Sequence, residues 1–209
     1  LDVDRATGRV RYRPGMVQEI GIEIHMCPST SGFKSWRAMA YSPQTRFLYI
    51  PITLNCERAT FGPVDRIPGG GGTGPVRRIN TEHPAAEGNL GELLVMDVTN
   101  GEIKWRHRTP SPINTAALTT AGGLVFAGDW DRHMYAYDAA TGDILWQTRL
   151  PTSAQGFPIS YLADGKQYVA MPVGIGGASW STMLPNDLSP EIRRPSNGNS
   201  IHVFALPKR

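Results

Sequence analysis

Few side chains in this chain have the types and spacing that do chemistry. Five histidines, His25, His83, His107, His133 and His202, are the first candidates for acid–base or metal work. No two lie within a helical turn of each other, so none makes a metal-ligand pair such as HxxxH. Their contexts are unrelated, and they read as surface or strand-edge histidines. The two cysteines, Cys27 and Cys56, form neither a CxxC pair nor the CxxCH of haem attachment. They are compatible with a disulfide or with two buried thiols. The run Gly69-Gly70-Gly71-Gly72 invites a phosphate-loop reading, but no Gly-Lys-Ser/Thr follows it and no helix pattern begins there. A Gly-x-Ser-x-Gly nucleophile elbow is absent. By residue chemistry alone the chain holds no self-sufficient active site.

Asp97 and Asp138 are not read as acid–base carboxylates, because each belongs to a repeated phrase. Val95-Met96-Asp97-Val98-Thr99-Asn100-Gly101-Glu102-Ile103-Lys104-Trp105 recurs as Ala136-Tyr137-Asp138-Ala139-Ala140-Thr141-Gly142-Asp143-Ile144-Leu145-Trp146. The offset is 41 residues, 146 minus 105. A degraded third copy, Val3-Asp4-Arg5-Ala6-Thr7-Gly8-Arg9-Val10-Arg11-Tyr12, opens the chain. Asp can hydrogen-bond the amides just ahead of it and Gly tolerates positive φ, so the phrase is a hairpin turn between two strands. The Trp that closes each copy is expected to pack between neighbouring sheets, with a partner for its indole N–H.

A period of about 40–45 residues built from short strands is that of β-propeller blades, whose innermost strands line a central axis. Composition agrees. With 17 Pro and 23 Gly interrupting most windows, helix signals are weak and an all-β fold follows. Net charge is +3, and Arg77-Arg78 and Arg193-Arg194 are isolated pairs, which argues against a nucleic-acid partner. No apolar run approaches the ~20 residues of a membrane-spanning helix.

The elements to position any site are predicted as follows. Residues 1–13 form the last two strands of an incomplete blade, and 14–35 a loop-rich crossing. One blade has strands near 37–41, 46–52, 91–97 and 102–108, interrupted by a flexible insertion over 53–90. A regular blade occupies 115–119, 123–128, 133–138 and 143–149. The last shows only three strands, near 157–162, 167–173 and 201–206. The chain thus reads as 1–209 of one propeller domain, the C-terminal part of a longer protein.

Three stretches give this propeller a family. Gly32-Phe33-Lys34-Ser35-Trp36-Arg37-Ala38-Met39-Ala40-Tyr41-Ser42-Pro43 is the most specific. Thr120-Ala121-Gly122-Gly123-Leu124-Val125-Phe126-Ala127-Gly128-Asp129 and Asp164-Gly165-Lys166-Gln167-Tyr168-Val169-Ala170 follow, and the chain closes on Val203-Phe204-Ala205-Leu206-Pro207. In combination these resemble the quinoprotein alcohol dehydrogenases, which depend on pyrroloquinoline quinone (PQQ), over nearly the whole chain.

The resemblance implies the C-terminal half of an eight-bladed propeller in a periplasmic enzyme. It implies PQQ on the axis beside Ca²⁺ or a lanthanide, and hydride transfer to the quinone from a small alcohol or sugar. Electrons would pass to an acceptor such as a cytochrome c or a membrane quinone. The metal ligands, the general base and the basic residue near the quinone oxygens belong to the N-terminal propeller half, so no catalytic or metal residue is expected here.

Four cofactor-facing positions carry over. Ser35 stands where the family often has Asn before Trp36. Asn114 stands where the family often places a Trp under the quinone. Gly177, in Gly176-Gly177-Ala178, matches a Gly-Gly-Trp, with Trp180 two residues after Ala178. For Trp36 a core role stays open beside the cofactor role, and for Gly176-Gly177 a plain tight turn. Cys27 and Cys56 match family cysteines that can bridge, which implies a disulfide and an oxidising compartment. The competing reading is a non-catalytic propeller of the same kind, a protein-binding scaffold, because fold does not fix function.

Overall fold

The structure is a computed structural model that describes residues 2–12, 19–64, 68–69, 75–175 and 187–206. Among these, regular structure is almost entirely antiparallel β. A short hairpin, β1 (Asp2–Val3) with β2 (Val10–Arg11), opens the chain. The first four-stranded sheet is β4 (Ala40–Ser42), β5 (Phe47–Thr53), β8 (Gly91–Asp97) and β9 (Ile103–Thr109), in that order. The second is β10 (Leu118–Thr119), β11 (Leu124–Gly128), β12 (His133–Asp138) and β13 (Ile144–Arg149). A three-stranded sheet follows, β14 (Ile159–Ala163), β15 (Lys166–Val173) and β16 (Ser200–Ala205). Two four-stranded blades, a three-stranded one and a hairpin match the blade order expected from the repeat.

The repeated turns form as their residues dictate. Asp138 Oδ1 accepts the backbone N–H of Ala140 (2.8 Å) and Thr141 (3.0 Å), and Gly142 follows at φ +82°. Asp97 Oδ1 accepts the Thr99 amide (2.9 Å) and hydroxyl (2.6 Å) before Gly101 at φ +77°. Asp4 does the same for Ala6 and Thr7 before Gly8. These bonds hold all three carboxyls below their ordinary pKa.

Side-chain alternation along the middle strands sorts residues to two faces. Val125 and Ala127 of β11, with Tyr135 and Tyr137 of β12, pack toward the first sheet against Tyr49, Leu93 and Val95. Phe126, Met134 and Ala136 point the other way, onto Val169, Met171 and Val173 of β15. The second sheet is therefore buried on both faces, whereas outer strand β13 is mostly exposed. Trp105 docks as expected: its Nε1 donates to the Ala139 carbonyl of the next sheet at 3.2 Å, and its ring lies 5.8 Å from that of Tyr137. Trp146 meets Phe204 of the third sheet edge-on at 5.2 Å.

Three expectations are corrected. The insertion over 53–90 is not a flexible loop in its described parts, nor is 14–35 only a crossing. β6 (Asn55–Phe61) pairs with β7 (Val76–Glu82) and with β3 (Glu23–Met26) to form a further sheet. Its polar sequence hid the strands, which tertiary partners hold: Thr30 Oγ1 donates to buried Glu57 at 3.0 Å, and Arg78 lies 3.9 Å from Glu57. The Cys27–Cys56 disulfide, with Cα atoms 4.4 Å apart, ties the end of β3 to β6. Second, the innermost strands β4 and β10 start later than expected, because the residues before them bond to neighbouring sheets instead. Third, His107 lies on the edge strand β9, as one of the two readings had it, but is not a surface histidine. Half-buried, it contacts the rings of Tyr135 and Tyr137, at 5.4 and 5.2 Å, and burial lowers its pKa.

Candidate functional site

The late start of the inner strands builds the site. Ala117 N–H donates to the Ala38 carbonyl (3.0 Å), and Ala116 N–H donates to the Gly156 carbonyl (2.9 Å). Thr115 and Gly156 form a parallel bridge, and Asn114 N–H donates to Gly128 O at 3.1 Å. The entry segments of three successive sheets thus lie side by side. Where they meet, Trp36, Arg37, Asn114, Gln155, Gly156 and Phe157 line a recess of about 20 Å³.

Two of the four sequence-derived positions come together here. Trp36 is not a core residue: 58% exposed, it stands at the recess with Phe157 edge-on, ring centroids 6.3 Å apart. Asn114, 78 residues later, is 6% exposed. Ser35 is half-buried and adjoins Trp36 in the chain but does not line the recess. Gly177 and Trp180 lie outside the described residues.

The residue that sequence reading missed is Arg37. Its side chain is buried, Nη1 donating to Asn114 Oδ1 (3.3 Å) and Nη2 to Thr53 Oγ1 (2.8 Å). Burial alone lowers its pKa, to about 10, so it remains a cation at neutral pH. Nothing in its spacing marked it; a lone Arg ahead of a strand normally reads as solvated. Gln155 was also missed, although a signal existed. The 41-residue period carries Asn114 onto Gln155, 155 minus 114.

A separate cavity of about 530 Å³ opens between Thr109–Ser111, Asp129, Asp131–His133, Tyr135, Arg149 and Glu191–Arg193. At its wall, buried Asp129 accepts the His133 amide (3.0 Å) and the Tyr135 hydroxyl (2.9 Å), and His133 Nδ1 lies 3.6 Å away. Among the described residues no group of three His, Cys, Asp or Glu side chains could hold a metal ion.

Comparison with known proteins bears on this geometry. A family described as "Glucose/ethanol/alcohol dehydrogenase, beta-propeller domain" matches residues 75–169. The chain is 32% identical over 212 residues to a quinoprotein ethanol dehydrogenase of Pseudomonas aeruginosa, covering 98% of this chain and 33% of that protein. It is 35% identical over 188 residues to a 1-butanol dehydrogenase (cytochrome c) of Thauera butanivorans, covering 86% of this chain and 26% of that one. The chain therefore spans about a third of the length of the curated relatives it matches. Among solved structures, a europium-containing methanol dehydrogenase superposes with a TM-score of 0.83 at 26% identity, over 98% of this chain and 38% of its own. The sheets described above are blades of a β-propeller.

Proposed function

This chain is related along nearly its whole length to the quinoprotein alcohol dehydrogenases, and from that premise we propose that it supplies one wall of a PQQ site in an alcohol-oxidising enzyme. The observation that carries the reading is that Trp36 and Asn114, far apart in sequence, line one recess where three blades meet. The donor set suits the group. PQQ is planar and carries several carboxylates, and the recess offers an exposed indole beside an amide and a buried cation. Trp36 would lie against the ring system and Asn114 would hydrogen-bond its edge, with Ser35 adjoining Trp36 in the chain.

Bound PQQ would supply a two-electron acceptor for the hydride of a small primary or secondary alcohol or a sugar. This chain's part is to hold the cofactor, exclude water on one side and fix its orientation. Ca²⁺ or a lanthanide and the general base would be held by the N-terminal half of an eight-bladed propeller, of which 1–209 would be the C-terminal portion. The third sheet supports such a neighbour, since Ile159, Tyr161, Ile201 and Val203 are exposed, an apolar set suited to packing against further blades. Electrons would leave to a cytochrome c or a membrane quinone. The disulfide supports a periplasmic location.

The test is titration of the full-length protein with PQQ in the presence of Ca²⁺, followed by alcohol-dependent reduction of an artificial electron acceptor. Saturable binding with alcohol oxidation is the expected result. Absence of both would leave the non-catalytic scaffold as the function. Residues 1–209 alone should oxidise no alcohol and bind PQQ weakly, because one wall of the pocket is not preorganised.

A further inference from the structure

Arg37 is a buried cation that the fold has not neutralised. A charge taken out of water is costly unless it is paired and hydrogen-bonded. The side chain is 4% exposed, yet no carboxylate among the described residues pairs with it. A guanidinium carries five N–H donors. Two are spent, on Asn114 Oδ1 and Thr53 Oγ1. Nε is fully buried and makes no hydrogen bond.

The neighbouring amide points the same way. Arg37 can only donate, so it fixes Asn114 with its oxygen toward the guanidinium. That leaves the Asn114 amide N–H groups for a further partner. Arg37 and Asn114 thus offer N–H donors and net positive charge to one recess. At about 20 Å³ it has room for one oxygen-sized group and no more. Its mouth is flanked by the exposed ring of Trp36.

We infer that Arg37, steadied by Asn114 and Thr53, is an anion-recognition residue that takes one carboxylate oxygen of a small molecule lying across Trp36 at the propeller axis. This rests on the function proposed above for the identity of that molecule. The carboxylate belongs either to the cofactor or to a hydroxy-acid substrate. Both present the same chemistry, a planar acceptor-only group that a guanidinium matches.

The experiment uses the full-length protein with Ca²⁺, wild type and Arg37→Met, which removes the charge while keeping a long side chain. PQQ affinity is measured by calorimetric titration. The PQQ-loaded proteins are then assayed with 6-hydroxyhexanoate and with 1-hexanol, which differ by a carboxylate. If the cofactor supplies the carboxylate, Arg37→Met weakens PQQ binding about tenfold or more. If the substrate supplies it, PQQ binding holds while KM for 6-hydroxyhexanoate rises about tenfold or more and KM for 1-hexanol does not. Unchanged PQQ affinity together with unchanged KM for both alcohols overturns the assignment.

Should Arg37→Met fail to fold, Asn114→Asp tests the same point. It is nearly isosteric and sets an internal counterion against the guanidinium. One of the same two losses is expected, and the absence of both overturns the assignment. A wild-type protein that binds no PQQ defeats the proposed function instead. Arg37 is then decided by titration of the wild type with 6-hydroxyhexanoate: binding that Arg37→Met abolishes upholds its role, and no binding ends it.

Discussion

Gly142 lies directly under the indole of Trp105: a Cβ placed on Gly142 would come within 2.6 Å of Trp105 Cδ2. The two belong to different blades, Trp105 to β9 and Gly142 to the turn before β13. The indole therefore seals the joint between blades. Two demands meet at one residue, positive φ and close approach, and only glycine satisfies both.

Gly142→Ala should accordingly destabilise the protein more than Gly101→Ala. Gly101 occupies the matching turn at nearly the same φ, but nothing lies within 4 Å of its Cβ position. The backbone term alone costs about 1–2 kcal/mol. Displacing the indole adds about 1–3 kcal/mol. Denaturant midpoints of the two variants measure the difference, and equal losses would mean that the Trp105 contact contributes nothing.

Removing the disulfide should loosen the sheet β3-β6-β7 first. The bridge closes a separation of 29 residues, worth about 3–4 kcal/mol in the chain-entropy account. Cys27→Ser with Cys56→Ser should lower thermal stability and open residues 55–61 to proteolysis before the blades. Proteolysis starting in β11 or β12 would contradict this order.

Trp36→Ala should weaken PQQ binding by the full-length protein, and Asn114→Ala should do so less. The indole supplies exposed aromatic area at the recess, whereas the amide supplies a single hydrogen-bonding group there. Losses of about tenfold and a few-fold are expected. Titration with Ca²⁺ present measures both, and unchanged affinity in both variants would remove the site from this recess.

Stability should depend on pH through His133. The Asp129 carboxylate, 3.6 Å from His133 Nδ1, raises the imidazole pKa. A base whose folded pKa is raised stabilises fully below its unfolded value of about 6.5, and that contribution is lost as pH rises through the folded value. His107 acts with opposite sign, because burial lowers its pKa and so favours the fold less as pH falls. The stability gap between wild type and His133→Gln should therefore shrink from about pH 5.5 to pH 8.5. A gap that stays constant over that range would show that the ion pair does not titrate.

The sequence by itself determined the blades, because their signals are local. A strand of period two, an Asp that bonds its own next amides and a Gly at positive φ need no partner elsewhere, so 41-residue spacing and turn chemistry sufficed for β11 to β13. The strands β6 and β7 were not legible, since Glu57 and Arg78 look solvated until the neighbouring segments of the sheet cover them. The site divided the same way. Trp36 and Asn114 were marked by resemblance, and Gln155 was within reach of the period. Arg37 was not, because whether an arginine is solvated or buried depends on what packs over it. Only the tertiary fold, which brings Asn114 and Thr53, 77 and 16 positions away in sequence, beside Arg37, turned an ordinary charge into a buried one.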